Sequence, residues 1–144
     1  MVGFMLAEQG DERIVNDASV SHLFLFQEKH DGERCALVVN EGKITLINRR
    51  QRDITHEFPE LQNISLNINN GILDGEIIVP KQQHFRDKPS TSGRMNIKDA
   101  GKIAMLSKIL PAKFMAFDIL SKEGISLCNM TLEGRLAELN RAIN

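Results

Sequence analysis

Ile72-Leu73-Asp74-Gly75-Glu76-Ile77-Ile78-Val79 is bounded by Asn69-Asn70-Gly71 on one side and Pro80 on the other. An aliphatic run between a cluster of turn residues and a proline reads as a strand. Ile64 to Ile68, just ahead of the break, alternates apolar and polar residues and reads as a second strand. Glu76 stands in the middle of the octet. Carboxylates are seldom fully buried unless paired, so it faces a ligand cleft or a cation, or else lies on the solvent side of a half-exposed strand.

Upstream, Cys35 to Val39 and Lys43 to Ile47 flank Asn40-Glu41-Gly42, which is a hairpin signal. His22-Leu23-Phe24-Leu25-Phe26-Gln27-Glu28 is apolar and aromatic and reads as a buried strand that delivers Lys29 at its end. Downstream, Asn96 is placed to cap a helix running to about Leu110, with Asp99 in its first turn and Pro111 stopping it. Ile97, Ala100, Ile103, Ala104 and Ile109 give that helix an apolar face suited to a sheet. Phe114 to Leu120 is a further strand, and Ser121-Lys122-Glu123-Gly124 turns it into Ile125 to Cys128. Thr131 caps a last helix with Leu132, Leu136, Leu139 and Ile143 on one face. Hairpin strands mixed with packing helices define an α+β domain built on antiparallel sheets, a single unit over residues 1–144.

At 144 residues and 42% hydrophobic, the chain is long enough for one core and too short for two ordinary domains. Its 18 basic and 19 acidic residues give a net charge of -1, which lacks the basic excess of a stand-alone nucleic-acid binder, so any such contact is local. Lys81, Arg86, Lys88 and Arg94 form a basic stretch that either touches phosphates or is a solvated loop. Cys35 and Cys128 form no CxxC pair and the four histidines show no zinc-type spacing, which points to a reduced, cytoplasmic protein with no metal site of its own. No apolar run approaches the roughly 18 residues that span a bilayer, so no membrane partner is expected.

The chemistry concentrates in Glu28-Lys29-His30-Asp31-Gly32-Glu33-Arg34. A lysine amine can displace pyrophosphate from the α-phosphorus of a nucleotide if it is held in line and partly unprotonated. Asp31 can orient or help deprotonate it, and Gly32 lets the backbone turn close to phosphates. The alternative is an ordinary surface turn, since a lysine beside Asp-Gly is common. Leu46-Ile47-Asn48-Arg49, the Ile72 to Val79 string and Phe114-Met115-Ala116-Phe117-Asp118-Ile119-Leu120 follow Lys29 in order. Together with K-x-D-G-x-R they resemble motifs I, Ia, III and IIIa of the covalent nucleotidyltransferases. Glu28 before the lysine, L-D-G-E-I-I-V and F-D-I-L resemble the adenylation domain of ATP-dependent DNA ligases. Met5-Leu6-Ala7 is similar to the start of that domain.

The resemblance implies an ATP-grasp-like, nucleotidyltransferase fold and a ligase that seals nicks in duplex DNA through a lysyl-AMP intermediate. Lys29 is then the AMP acceptor, Glu28 reads the adenine edge, and Arg34 and Arg49 engage sugar and phosphate. Glu76 holds the ribose hydroxyls and Phe117 stacks on adenine. ATP rather than NAD is the implied donor, with Mg2+ as its companion ion. Arg50-Gln51 departs from the Asn-Gly that follows the motif Ia arginine in many ligases. In the last helix Thr131 and Gly134 depart from the P-L-x-E-R pattern. The chain stops at Asn144 ahead of any E-G-I/V/L segment, K-x-K pair or OB-fold domain. The expectation is therefore an incomplete domain, weakly active alone, or a truncated ligase-like nucleotide-binding module; an RNA ligase is the enzymatic alternative.

Overall fold

The computed structural model describes residues 2–5, 25, 27–79 and 93–144. β1 (Glu33–Asn40) and β2 (Lys43–Asn48) form the expected hairpin. Its two loop residues, Glu41 at φ 50° and Gly42 at φ 74°, both take the left-handed conformation that matches strand twist. β3 (Gly71–Ile78) pairs antiparallel with β1, and β4 (Lys113–Lys122) with β3. β5 (Ile125–Ser126) closes the order β2-β1-β3-β4-β5. Asn69 and Asn70 sit between two hairpin tips: Gly42 and Glu123 donate their N–H groups to the two asparagine carbonyls, and the Asn70 side chain accepts from Glu41.

Alternation assigns one sheet face to the core. Cys35, Leu37 and Val39 of β1, Ile44 and Leu46 of β2, Leu73 and Ile77 of β3 and Ile119 of β4 join Ile54, Phe58, Leu61 and Ile68 in one cluster. Burying each large side chain contributes about 1.5–3 kcal/mol. Cys35 lies within this cluster, and burial pushes its thiol up to about 12. Cys128 is exposed. Iodoacetamide at mildly alkaline pH is therefore expected to label Cys128 alone in the native protein and both thiols after unfolding, as read by peptide mass. Native labelling of Cys35 would contradict this packing.

Several expectations change. Ile64 to Ile68 keeps its burial alternation but joins no ladder; its anchor is the Asn67 N–H donated to the Ala142 carbonyl at 2.7 Å. The helix expected from Asn96 is α1 (Ala100–Ile109), capped by Asp99, whose carboxylate accepts from the Lys102 N–H at 2.6 Å. Its main contacts fall on the 3-10 turn Pro59–Asn63 rather than on the sheet, and Ile103 is its one buried residue. In α2 (Leu132–Ile143), Thr131 caps as expected, but the buried face runs through Arg135, Leu139 and Ala142, leaving Ile143 43% exposed. Ile125 to Cys128 shortens to β5; the Leu127 N–H still donates to the Leu120 carbonyl at 2.8 Å, and the chain turns at Cys128 and Asn129 before the α2 cap.

Arg94 is neither a phosphate contact nor solvated. It is 2% exposed and ion-paired to Glu60. Lys81, Arg86, Lys88, Leu6, Ala7 and most of His22 to Glu28 lie outside the described residues; Gln27 and Glu28 carry no strand pairing. Among the described residues no helix is long and apolar enough to cross a membrane.

Candidate active site

The sheet face opposite the core carries charge. In the β1–β3 register Arg34 lies across from Glu76 and Ala36 across from Asp74. The Asp74 carboxylate is fully buried and takes both arms of the Arg34 fork, Nε to Oδ1 at 3.2 Å and Nη2 to Oδ2 at 2.7 Å. Burial pushes this carboxyl above the usual value, while the Arg34 hydrogen bonds pull the other way. The Arg34 guanidinium also lies over the rings of Phe117, at 5.2 Å, and Phe4, at 5.5 Å.

Phe117 reaches this face through a register shift. Ala116 pairs with Gly75 and Asp118 with Asp74, so two steps on β4 answer one on β3 and Phe117 is the extra residue. Such a bulge lets consecutive side chains share a face. Phe117 and Asp118 accordingly line the same cavity. Asp118 is held by a helix: Arg135 donates Nε to Oδ1 at 2.7 Å and Nη2 to Oδ2 at 2.9 Å.

The segment carrying Lys29 precedes β1 and is tied at both ends. Gln27 Nε2 donates to the Phe117 carbonyl at 3.0 Å, and the Gly32 N–H donates to Glu76 Oε1 at 2.6 Å. A Cβ on Gly32 would stand 2.2 Å from the Ile77 carbonyl oxygen, so glycine is required here by contact with β3. Between the ties, Glu28 and Lys29 are exposed.

Glu28, Lys29, Arg34, Glu76 and Phe117 line one cavity of about 380 Å³, within the usual range for small-molecule sites. The other three residues expected in the site lie elsewhere. Gly32 and Arg49 line a neighbouring cleft of about 670 Å³, together with Arg50 and Arg52. Asp31 is exposed and lines neither. The turn after Arg49 survives without Asn-Gly. Gln51, in the glycine position, adopts φ 61°, the Asn48 side chain accepts from the Arg50 and Arg52 N–H groups at 3.0 Å, and the Gln51 amide exchanges hydrogen bonds with the Val2 backbone. Among the described residues no three His, Cys, Asp or Glu side chains converge to hold a metal.

A family model described as the ATP dependent DNA ligase domain matches residues 4–144. This chain belongs to that family. Among its relatives, DNA ligase C2 of Mycolicibacterium smegmatis is 31% identical over 120 residues, 82% of this chain and 33% of that protein. A probable DNA ligase of Koribacter versatilis is 29% identical over 143 residues, 96% of this chain and 24% of its own length. The ligase domain of M. tuberculosis LigD superposes with a TM-score of 0.59 at 26% identity, covering 79% of this chain and 35% of that one. Mycobacterial DNA ligase D complexed with ATP and MES gives 0.57 at 25% identity, covering 81% and 36%. The chain thus spans 33% or less of these two ligase sequences, and its sheet is that of the nucleotidyltransferase fold of DNA ligases.

Sequence reasoning in this ATP-dependent DNA ligase domain found the residues of contiguous strings and missed those that matter by pairing. Asp74 and Asp118 lie inside the L-D-G-E-I-I-V and F-D-I-L strings, and Arg135 is the arginine of the altered P-L-x-E-R segment. The available signal was three charged residues in otherwise apolar strand and helix patterns.

Proposed function

We propose that this chain is the N-terminal portion of a ligase adenylation domain, and that Lys29 accepts AMP from ATP before its transfer to nicked duplex DNA. The observation that carries the reading is that Lys29 shares one cavity with Glu28, Arg34, Glu76 and Phe117, on a segment fastened to β3 and β4 at Gly32 and Gln27. A nucleophile tied on both sides loses little freedom on reaching the α-phosphorus. In the step itself the Lys29 Nζ–P bond forms as the P–O bond to pyrophosphate breaks, and the amine gives up its proton to solvent.

Glu28 offers an exposed carboxylate to the donor edge of adenine. Glu76 Oε2, the oxygen not taken by Gly32, faces the ribose hydroxyls, and Phe117 supplies a stacking surface. Arg34 is already committed to Asp74, so its role is to fix the pocket wall and present its remaining N–H groups to the sugar. Arg49, in the adjoining cleft, acts on phosphates at the edge of the cavity, and Asp31 orients the Lys29 amine. Mg2+ arrives with the triphosphate rather than residing in a protein cage. DNA is favoured over RNA because the similar proteins are named DNA ligases. A cytoplasmic location completes the proposal.

Incubation of the complete protein with α-labelled ATP, GTP or labelled NAD tests the reading: ATP is expected to leave a covalent label, and label from NAD alone would overturn the choice of donor. Phe117→Ala is expected to weaken ATP binding by about 1–3 kcal/mol if the ring stacks on the base. An unchanged affinity in calorimetry would make Phe117 a packing residue.

A further inference from the structure

We propose that Arg135 is a positioning residue for the base of the nucleotide, acting through Asp118 to hold the β4 bulge that turns Phe117 into the cavity. This inference rests on the base-stacking role proposed for Phe117.

The bulge has an unmatched residue, so the β3–β4 ladder alone leaves its conformation under-determined. What supplements the ladder is the adjacent side chain. Asp118 is 6% exposed, and its oxygens meet Arg135 at 2.7 and 2.9 Å, with Oδ1 also accepting the Ile119 N–H at 2.8 Å. Arg135, 5% exposed, spends its third arm on the Met130 carbonyl at 2.7 Å, just ahead of the α2 cap. A guanidinium with all three nitrogens engaged inside the protein lines the cavity without reaching for a ligand.

A buried ion pair is a poor source of net stability, because desolvation offsets most of the attraction, but its fork geometry fixes two elements in register. Here the elements are a helix and the bulge. The fixed point also serves the nucleophile segment, since the Phe117 carbonyl at the bulge receives Gln27.

The test uses the complete protein and two probes, ATP and tripolyphosphate, which shares the phosphates and lacks the base. Arg135→Lys keeps the charge and loses the fork; Asp118→Asn keeps the shape and loses the charge. Each is expected to weaken ATP binding by about tenfold, the order of one lost base stack, while tripolyphosphate binding stays unchanged. In a cycle with Phe117→Ala, the double variant Arg135→Lys/Phe117→Ala is expected to bind ATP no worse than Phe117→Ala alone. Additive losses, equal losses for both probes, or unfolding of both single variants would overturn the proposal and leave the pair a structural tie. If the wild-type protein neither binds ATP nor takes up label, the function proposed above fails instead.

Discussion

Lys29→Arg is expected to abolish covalent AMP formation while leaving the melting temperature and ATP affinity near those of the unaltered protein. Arginine keeps the positive charge but stays protonated at any working pH, so it has no free electron pair for the α-phosphorus. Lys29 is exposed, and among the described residues its side chain makes no hydrogen bond or ion pair for the substitution to break. The two ties of its segment use Gln27 and the Gly32 backbone and survive. Labelled ATP followed by denaturing electrophoresis reads the outcome. Wild-type labelling in the variant would show that another group is the acceptor.

The largest effect on stability is expected from Arg94→Met. Arg94 Nη1 donates to Glu60 Oε1 at 2.8 Å and to the Leu110 and Leu106 carbonyls at 2.6 and 3.3 Å. Nη2 reaches the Glu57 carbonyl at 3.1 Å and Glu60 Oε2 at 3.3 Å, and the guanidinium lies 5.2 Å from the Phe58 ring centre. One side chain thus closes the C-terminal carbonyls of α1 and fastens that helix to Pro59–Asn63. Removing one partner of a buried pair strands the other, a loss of about 3–5 kcal/mol. Urea unfolding measures it; a loss under about 1 kcal/mol, the scale of an exposed pair, would mean that Arg94 is far more hydrated than its burial implies.

Arg94 also shows where a sequence stops being informative. A basic residue after Pro, Ser and Thr reads as surface, and only the position of Glu60, far back in the chain, makes burial tolerable. The seat of α1 follows from that network, so its apolar residues pointed to the wrong partner. By contrast β1, β2 and β3 were legible, because β-branched alternation and the Glu41-Gly42 and Asn69-Asn70 breaks are local signals. Ile64 to Ile68 shows the limit of alternation, which reports which side chains are buried and not whether the backbone finds a ladder. The bulge at Phe117 was invisible for a related reason: an inserted residue has no signature until its partner strand is known.

The site divides along the same line. Glu28, Lys29 and Arg34 are one string, and Glu76 and Phe117 sit in strands that neighbour β1 or β3, so local motifs sufficed to bring the five together. Arg49 depends on how the chain turns after β2, and that turn places it with Gly32 in the adjoining cleft. Asp74, Asp118 and Arg135 matter through cross-strand and helix-to-strand pairing, which no single string displays.

Lys29 as the nucleotide acceptor is tested by digesting the ATP-treated complete protein and sequencing its peptides by mass spectrometry. One adenylyl group is expected on Lys29, lost on mild acid treatment as a P–N bond requires. The same group on another residue, or an acid-stable linkage, would contradict it.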